Sequence, residues 1–200
     1  MNKTFFETIR AVDGEIFNIS FHQWRYKSVL KQFGASEAQN LEKFLNPPKI
    51  GTYRCRLTYN LSDSPHNIEV TYQEYKKRDI KSLKLLYDDD IEYPLKSTCR
   101  DRLDALFAQR GECDDVLIVK NSLIADTTIA NIAFFDSNRW ITPSTPLLNG
   151  TTRERLLRER KIFQEDIRVD DLEKYSKIAL MNAMVDFDII TKKAKEFFVR

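Results

Sequence analysis

The apolar residues of this chain occur in short runs separated by polar, turn-prone segments, and the runs rich in β-branched and aromatic residues predict strands. The first run, Thr4–Val12, leads into Asp13-Gly14, a dipeptide that strongly favours a two-residue hairpin turn. The turn-prone sequence Ser62-Asp63-Ser64-Pro65 joins two later runs. Further strands of the first half are predicted over residues 53–59, 68–75 and 82–87.

Two helices are predicted in the same half of the chain. Ser20 can cap a helix over residues 21–33 that ends at Gly34, and Ser36 can cap a second helix that Pro47-Pro48 stops. Asp88-Asp89-Asp90 is a charged break in the pattern and the best candidate for a linker. We therefore predict an α+β fold with two domains, a small α+β domain over residues 1–88 and a larger β-rich domain over residues 89–200.

The second half has helices and strands of its own. Apolar runs with strand character over residues 115–143 enclose Asp126 and Asn131. Gly150-Thr151-Thr152 opens a helix, where unpaired backbone N–H groups beside two hydroxyls suit a phosphate. An acid, an amide and a candidate anion site therefore lie within one segment. The other elements predicted here are helices over 102–109 and 152–161 and closing strands over 178–181 and 185–190.

Composition limits the classes of function without selecting one. The 200 residues are 42% hydrophobic, which is enough to form a good core. The 32 basic residues are offset by 30 acidic ones and form no sustained run, which disfavours a nucleic-acid partner. No apolar run is long enough to span a bilayer and the first residues do not resemble a signal peptide, so we expect a cytoplasmic protein with no membrane partner. The three cysteines match no zinc pattern, and we expect reduced thiols and no metal site.

Several motifs of the chain resemble those of one enzyme family. Phe6-Glu7-Thr8-Ile9-Arg10, Asp13-Gly14 and His22-Gln23-Trp24-Arg25 are similar to its F-E-T-x-R, D-G and H-x-x-R series. The segment from Asp126 to Asn131 and Gly150-Thr151-Thr152-Arg153 are similar to its acid, Asn and G-[IV]-T-R motifs. This is the class IV aminotransferase family, or fold type IV, which includes branched-chain and D-amino acid aminotransferases and aminodeoxychorismate lyases. The resemblance implies a two-domain fold type IV enzyme that uses pyridoxal 5'-phosphate.

The resemblance also implies roles for individual residues. Lys96 forms the Schiff base with the cofactor, for which its amine must be neutral when it attacks. Asp126 pairs with the pyridine nitrogen and keeps it protonated, so that the ring acts as an electron sink. Arg25 binds the phosphate, because its planar fork can donate two parallel hydrogen bonds. The other residues implied to bind the cofactor are Thr127, Asn131, Gly150, Thr151 and Thr152.

Arg25, Lys96 and Asp126 also have purely structural interpretations. His22 and Arg25 can be one turn of an amphipathic helix with solvated tips. Lys96 can be one solvated lysine in a lysine-rich chain, and Asp126 can be a turn residue between strands. The positions of the motifs relative to one another favour the functional interpretation.

The chain departs from the family pattern in three places. Asp126 stands where the family usually has Glu, and Thr151 replaces a branched apolar residue. Family members usually carry an extra strand and a D-R-G-[FL]-x-[YF]-G-D-G segment before F-E-T, and this sequence starts at that point. We therefore expect the part of the pocket wall that this segment supplies to differ.

The expected activity is amino-group chemistry on a small amino acid or amino-carboxylate, with transamination as the leading hypothesis. A lyase of the aminodeoxychorismate type, which expels pyruvate, needs the same cofactor groups. A homologue that binds the cofactor but has lost catalysis is the alternative of another class. The family resemblance also implies a homodimer.

Substrate contacts are the least specified part of the prediction. Arg54 and Arg56 share one face of a strand and Tyr53 and Tyr59 share the other, and either face could hold a substrate carboxylate. The candidate substrate-binding residues are Phe6, Arg56, Tyr59 and Asn182.

Overall fold

A hairpin begins the fold, as the sequence predicts. In the computed structural model, which describes residues 3–35, 37–62, 67–190 and 197–199, β1 spans Thr4–Val12 and β2 spans Glu15–Ile16. The two strands pair antiparallel. Asp13 and Gly14 have φ angles of 50° and 85°, and two positive values in succession match the twist of a two-residue hairpin turn.

Two further strands complete the first sheet. β3 (Thr52–Asn60) pairs antiparallel with β1, and β4 (Ile68–Glu74) pairs antiparallel with β3, in the order β2-β1-β3-β4. Residues 63–65 of the predicted connecting turn lie outside the described residues. Alternate side chains point to opposite faces of the sheet, and one face carries a core. The buried residues of this core are Phe5, Ile9, Ala11, Tyr26, Val29, Leu30, Leu41, Cys55, Leu57 and Tyr59.

The first helix, α1 (Ile19–Gln32), packs its buried face into this core. It begins two residues before the predicted start, because Asn18 rather than Ser20 is the N-cap, in the left-handed conformation at a φ of 55°. The helix ends at Gln32, one residue before the predicted end, and Phe33 is its C-cap, directly before Gly34. The φ of Gly34 is 62°, a conformation that glycine adopts without the steric cost that a side chain would add.

The prediction of a second helix in this half is wrong. A short 3-10 turn, Leu41–Phe44, forms instead, and the side chain of Asn40 accepts a hydrogen bond from the backbone N–H of Glu42 at 3.0 Å. The expected cap, Ser36, lies outside the described residues. Leu41 is the buried residue of this turn. The turn starts only after Asn40, and Leu45 has already returned to an extended conformation with a φ of −100° and a ψ of 120°, so the backbone leaves helical geometry before Pro47-Pro48.

The chain divides into two compact units, but not after residue 88. The first unit contains the residues up to Lys77 and the segment Leu95–Cys99, and the second contains Arg78–Pro94 and the residues after Cys99. β5 (Leu83–Tyr87) belongs to the second unit because it pairs in parallel with β6 (Asp115–Lys120). The predicted linker is also part of this unit, since the carboxylate of Asp88 accepts a hydrogen bond from Arg102 Nε at 2.6 Å.

Two sheets form the second unit. The remaining strands are β7 (Leu123–Thr127), β8 (Asn131–Phe135), β9 (Trp140–Pro143), β10 (Ile162–Glu165), β11 (Lys177–Asn182), β12 (Asp186–Ile190) and β13 (Phe198–Val199). One sheet has the order β13-β5-β6-β7 and the other the order β10-β9-β8-β11-β12. The pairs β5 with β13 and β9 with β10 are also parallel, and the other neighbours are antiparallel. Apolar side chains of both sheets meet in one core, which includes Leu117 and Phe134.

The second unit also contains α2 (Asp101–Ala108) and α3 (Thr151–Arg158), each of which begins one residue before its predicted start. α3 ends earlier than residue 161, because Arg160 adopts a φ of 54° and β10 follows directly. A 3-10 helix over Val169–Lys174 completes the list of elements. None of the helices in the described ranges is long and apolar enough to cross a membrane.

Leu57 provides a test of the first core, because it is fully buried on β3. We expect Leu57→Ala to lower the free energy of unfolding by about 2–5 kcal/mol, since it removes apolar contacts and leaves a cavity. Urea unfolding followed by circular dichroism measures the change. Ile50→Ala is the matched control, because Ile50 is 83% exposed, and we expect a change within about 0.5 kcal/mol. Equal effects of the two substitutions would contradict the assigned core.

Candidate active site

A buried ion pair lies on the inner face of β1. Glu7 is 1% exposed and stands between Phe5 and Ile9 on the face that forms the core. Glu7 Oε1 accepts a hydrogen bond from Arg25 Nε at 2.8 Å, and Glu7 Oε2 accepts one from Arg25 Nη2. His22 Nδ1 lies 2.6 Å from the same Oε2. The guanidinium and the carboxylate therefore form a two-point pair, which fixes the orientation of both groups.

The charge states of this cluster follow from its contacts. Burial opposes the ionisation of Glu7, but the charge of Arg25 and the hydrogen bonds from His22 and Arg25 outweigh it, so the pKa of Glu7 falls to about 2. Burial lowers the pKa of His22, which favours the neutral ring. An ionised carboxylate has no proton to donate, so His22 Nδ1 is the donor. His22 Nε2 is then an acceptor, and it is buried without a hydrogen-bond partner in the described part of the chain.

Sequence reasoning missed Glu7 as a partner of Arg25, although a signal was present. Glu7 has the same strand parity as Phe5 and Ile9, so alternation along β1 places it in the core. A buried carboxylate requires a partner, and the H-x-x-R motif supplies two. Arg25 is 8% exposed and uses two of its N–H groups on Glu7, which leaves others for a phosphate. Its contact with a phosphate stays a prediction.

Lys96 lies in a short segment that runs beside β1. The backbone N–H of Phe6 donates to the carbonyl oxygen of Lys96 at 3.0 Å. Lys96 Nζ lies 4.8 Å from the centroid of the Phe6 ring, and the guanidinium carbon of Arg56 lies 3.9 Å from the same centroid. The structure therefore brings together three of the residues that the sequence singled out, an amine, a guanidinium and the ring between them.

Tyr59 is not part of this group, which corrects the prediction of a substrate contact. Its side chain lies in the core at 2% exposure, with its ring 4.8 Å from that of Tyr26. The register of β1 and β3 places Tyr59 opposite Phe5 and Arg56 opposite Thr8, on different faces of the sheet. Burial raises the pKa of Tyr59 above its ordinary value. Tyr59 is a packing residue.

The second unit holds the predicted acid and amide together. Asp126, on β7, is 3% exposed. Its Oδ1 accepts a hydrogen bond from Asn131 Nδ2 at 2.8 Å, and its Oδ2 accepts one from the backbone N–H of Leu148 at 3.0 Å. Asn131 Nδ2 also donates to the carbonyl oxygen of Leu148 at 2.8 Å. Asp126 is therefore anchored to Asn131 and to the segment that precedes α3.

Gly150 packs directly against this pair. A Cβ atom added to Gly150 would lie 2.0 Å from Asn131 Oδ1, so a side chain at this position would displace the amide that binds Asp126. Gly150 is also the N-cap of α3, and no side chain caps the helix start. The first backbone N–H groups of α3 thus carry the partial positive charge of a helix terminus. Thr151 and Thr152 follow and are buried.

Thr127 and Asn182 bind backbone turns in the structure. Thr127 Oγ1 accepts a hydrogen bond from the N–H of Ala130 at 3.0 Å, which holds the turn between β7 and β8. Asn182 Nδ2 donates to the carbonyl oxygen of Ile129 at 3.3 Å, in the same turn. Asn182 Oδ1 accepts from the N–H of Met184 at 2.9 Å. Both side chains therefore shape the surroundings of Asp126, and any ligand contact by them stays a prediction.

Comparison with known proteins identifies the family. A model of the amino-transferase class IV family matches residues 4–192. This chain belongs to the class IV aminotransferases. A solved structure from Haemophilus somnus, described as a putative 4-amino-4-deoxychorismate lyase, is 36% identical, with a TM-score of 0.80 and coverage of 92% of this chain and 97% of the other.

Two further proteins are similar to this chain over most of their length. A putative aminodeoxychorismate lyase from Schizosaccharomyces pombe is 27% identical over 197 residues, which cover 89% of this chain and 84% of the relative. The pyridoxal-phosphate-bound structure of a hypothetical aminotransferase from Mycobacterium tuberculosis is 17% identical, with a TM-score of 0.79 and coverage of 99% of this chain and 84% of the other. Family membership confirms the predicted fold type IV architecture and the prediction of a pyridoxal-phosphate-dependent enzyme.

The groups present fit the cofactor of a class IV aminotransferase. The first unit supplies a primary amine, Lys96, which can condense with an aldehyde. The second supplies a buried carboxylate, Asp126, that has accepted two hydrogen bonds and retains further lone pairs for an N–H donor. It also supplies the uncapped start of α3, which suits a phosphate. Within the described ranges, no three His, Cys, Asp or Glu side chains are grouped so as to hold a metal ion.

The pKa of Asp126 determines how the cofactor-free protein responds to pH. Burial raises this pKa from 3.8 to about 6, against the lowering effects of Asn131, the Leu148 N–H and Arg153. A carboxyl whose pKa is higher in the folded state binds protons more tightly when folded. Its contribution to stability is therefore fully present below pH 3.8 and is lost as the pH rises through 6. The difference between the two pKa values corresponds to about 3 kcal/mol of unfolding free energy.

We expect Asp126→Asn to remove this pH dependence from the cofactor-free protein. The free energy of unfolding of the variant, minus that of the parent, should rise between pH 4 and pH 7 by about 3 kcal/mol. Urea titrations at several pH values measure the difference. Asn also changes the hydrogen bonds, but it does so equally at every pH, so the dependence of the difference on pH reports the titration of Asp126. Asp136→Asn, at a surface carboxyl of the same unit whose pKa is lowered rather than raised, should show no such rise. A flat difference for Asp126→Asn would contradict the raised pKa.

Proposed function

We propose that this class IV aminotransferase catalyses transamination of a small amino acid or amino-carboxylate. The observation that carries the proposal is the contact of Lys96 and Arg56 with the same ring, that of Phe6. An amine that reacts and a guanidinium that binds a carboxylate are the two groups that recognition of an amino acid requires, and here they share one face of the first sheet. Phe6 provides an apolar surface beside both.

The roles proposed for the cofactor-binding residues follow from their contacts. Arg25, oriented by Glu7, binds the phosphate, and Gly150, Thr151 and Thr152 at the start of α3 provide further donors to it. Asp126, anchored by Asn131, accepts a hydrogen bond from the ring nitrogen. A pyridinium beside this carboxylate would lower its pKa, so both groups would be charged at neutral pH.

The chemistry is divided between the cofactor and the chain. When bound, the cofactor supplies an electron sink for the negative charge that develops at the α-carbon of the substrate. Lys96 Nζ, as the neutral amine, takes the proton from that carbon and returns it to complete the transfer. Arg56 holds the carboxylate of the substrate, and Thr127 and Asn182 keep the turn after Asp126 in place.

A lyase that releases pyruvate is the second candidate. Its support is the description of the Haemophilus somnus structure and of the Schizosaccharomyces pombe relative as putative lyases of this kind. The reaction would use the same lysine and the same carboxylate. The loss of the amino group to an acceptor distinguishes transamination, and the appearance of pyruvate distinguishes the lyase.

A homodimer in the cytoplasm remains part of the proposal, on the strength of the family resemblance. Sedimentation equilibrium of the purified protein, with and without added cofactor, measures the assembly. A mass near that of one 23.6 kDa chain under both conditions would remove the dimer from the proposal.

We expect the cofactor to be attached to Lys96. Borohydride reduction of the protein after incubation with pyridoxal 5'-phosphate should fix the cofactor to one lysine, because reduction makes the imine bond permanent. Peptide mapping by mass spectrometry should find the label at Lys96 and not at Lys81, an exposed lysine that serves as the internal control. The Lys96→Met variant should lose the label. A label at another lysine would contradict the assignment.

We expect amino donors to convert the bound cofactor to its amine form. A panel of L- and D-amino acids, followed by the visible spectrum, tests this without knowledge of the acceptor. Transamination predicts spectral conversion and a stoichiometric oxo acid, whereas the lyase predicts pyruvate from aminodeoxychorismate with no net conversion. If the protein binds the cofactor but gives neither result, it is a homologue that has lost catalysis, and the proposed activity is wrong.

A further inference from the structure

His22 is a buried titratable residue to which the proposed function assigns no role. It lies on α1, three residues before Arg25, so the two side chains project from the same face of the helix. Its exposed fraction is 1%. The Nε2 atom of His22 is buried and has no hydrogen-bond partner among the described residues. Buried polar atoms are normally satisfied, so this atom indicates a missing partner.

One carboxylate oxygen holds His22 and Arg25 side by side. Glu7 Oε2 lies 2.6 Å from His22 Nδ1 and also accepts a hydrogen bond from Arg25 Nη2. The second oxygen of Glu7 accepts from Arg25 Nε at 2.8 Å. Glu7 therefore occupies one edge of the imidazole and one edge of the guanidinium. The atoms left for a ligand, His22 Nε2 and Arg25 Nη1, lie on the edges away from Glu7.

The tautomer of His22 determines which partner can satisfy Nε2. Because Nδ1 donates to Glu7, Nε2 of the neutral ring is an acceptor. A fully ionised phosphate has only acceptors, so it cannot form a hydrogen bond with this neutral ring. A single proton between Nε2 and a phosphate oxygen removes the conflict. His22 then donates from both nitrogens and lies between two anions, the carboxylate and the phosphate.

The charged groups around His22 determine when this proton is bound. Without a ligand, burial lowers the pKa of His22, Glu7 raises it, and the charges of Arg25 and Lys96 lower it further. Tyr59, which lies near Glu7, adds no charge because burial raises its pKa. One carboxylate thus faces two cations, and the ring stays neutral. A phosphate adds about two negative charges and reverses this balance.

We propose that His22 is a second ligand of the cofactor phosphate beside Arg25, and that it takes up one proton when the phosphate binds. The phosphate contact of Arg25 rests on the proposed function, whereas the role of His22 rests on the shared Glu7 oxygen and the unpartnered Nε2. The proton comes from solvent if the phosphate is a dianion and from the phosphate itself if it is a monoanion. Above neutral pH, the affinity for the phosphate should therefore fall by up to about tenfold per pH unit.

The protonation of His22 can be observed directly by NMR. Pyridoxine 5'-phosphate is the probe, because its alcohol cannot form an imine with a lysine, and pyridoxine, which lacks the phosphate, is the matched control. The chain has two histidines, so His66→Gln assigns the imidazole signals. At about pH 7.5, above the ordinary pKa of histidine, pyridoxine 5'-phosphate should convert the His22 signals of the cofactor-free protein to the doubly protonated form. The protein loaded with pyridoxal 5'-phosphate should show the same form, and pyridoxine should leave the ring neutral.

Calorimetry in buffers of different ionisation enthalpy counts the protons taken up. At the same pH, the parent should take up about one proton more per bound pyridoxine 5'-phosphate than His22→Gln, which keeps a donor for Glu7 but cannot hold the second proton. His22→Gln should also bind pyridoxine 5'-phosphate roughly ten- to a hundredfold more weakly, because it lacks a charge-assisted donor. His66→Gln is the matched control and should resemble the parent in both measurements.

Three results would overturn the role of His22. They are a ring that stays neutral with pyridoxine 5'-phosphate bound, equal proton uptake in the parent and in His22→Gln, and the same response to pyridoxine. Failure of the two proposals can be distinguished. Phosphate-dependent protonation without conversion of any amino donor contradicts the proposed function alone, and conversion of a donor with a neutral His22 contradicts this inference alone. If pyridoxine 5'-phosphate does not bind at all, both are wrong.

Discussion

Burial of a carboxylate is the constraint on which both units depend, because charge is costly to remove from water and each buried acid needs compensation. The two acids are compensated differently. Glu7 has a guanidinium with a two-point contact, and its pKa falls to about 2. Asp126 has an amide and a backbone N–H, both neutral, and its pKa rises to about 6. Glu7 is therefore a permanent anion that orients Arg25, whereas Asp126 is poised to respond to a cation placed beside it.

Strand alternation distributes the chemistry of one short motif between two faces. Along Phe6-Glu7-Thr8-Ile9-Arg10, Glu7 and Ile9 point into the core, and Phe6 and Arg10 point away from it. The motif therefore serves two purposes. Its inner residue Glu7 holds Arg25 of α1 in place, and its outer residue Phe6 contacts Lys96 and Arg56.

Local signals in the sequence predict much of the fold. The Asp13-Gly14 hairpin, most strands and the starts of α2 and α3 are found within a residue or two of their predicted positions, because turn chemistry and helix caps act over short distances. Non-local pairing is the part that local signals do not encode. β5 belongs to the second unit through its parallel pairing with β6, and the residues next to β5 in sequence do not indicate which strand it pairs with. The predicted boundary after residue 88 fails for this reason.

In the candidate site too, local motifs were predicted from the sequence, whereas contacts between distant residues were not. Lys96, Asp126, Asn131 and Gly150 were identified from motif resemblance, and the contact of Asn131 with Asp126 fits their spacing. Tyr59 was misjudged, because strand parity shows which residues share a face but not which face is the core. The partners of Arg25 were overlooked since Glu7 and His22 are far apart in sequence and meet only through packing of α1 on β1.

The path of the chain between its units has a consequence for how the protein can be divided. The backbone passes from one unit to the other after Lys77, after Pro94 and after Cys99, so the segment with Lys96 is enclosed on both sides by sequence of the second unit. A fragment that ends at Lys77 keeps Glu7, His22 and Arg25 but has no Lys96. A fragment that begins at Arg78 carries Lys96 without the strand beside which it lies. Division of the chain after Lys77 therefore separates Lys96 from β1, whereas division after Cys99 keeps Lys96 with β1 but removes Arg78–Pro94 from the rest of the second unit.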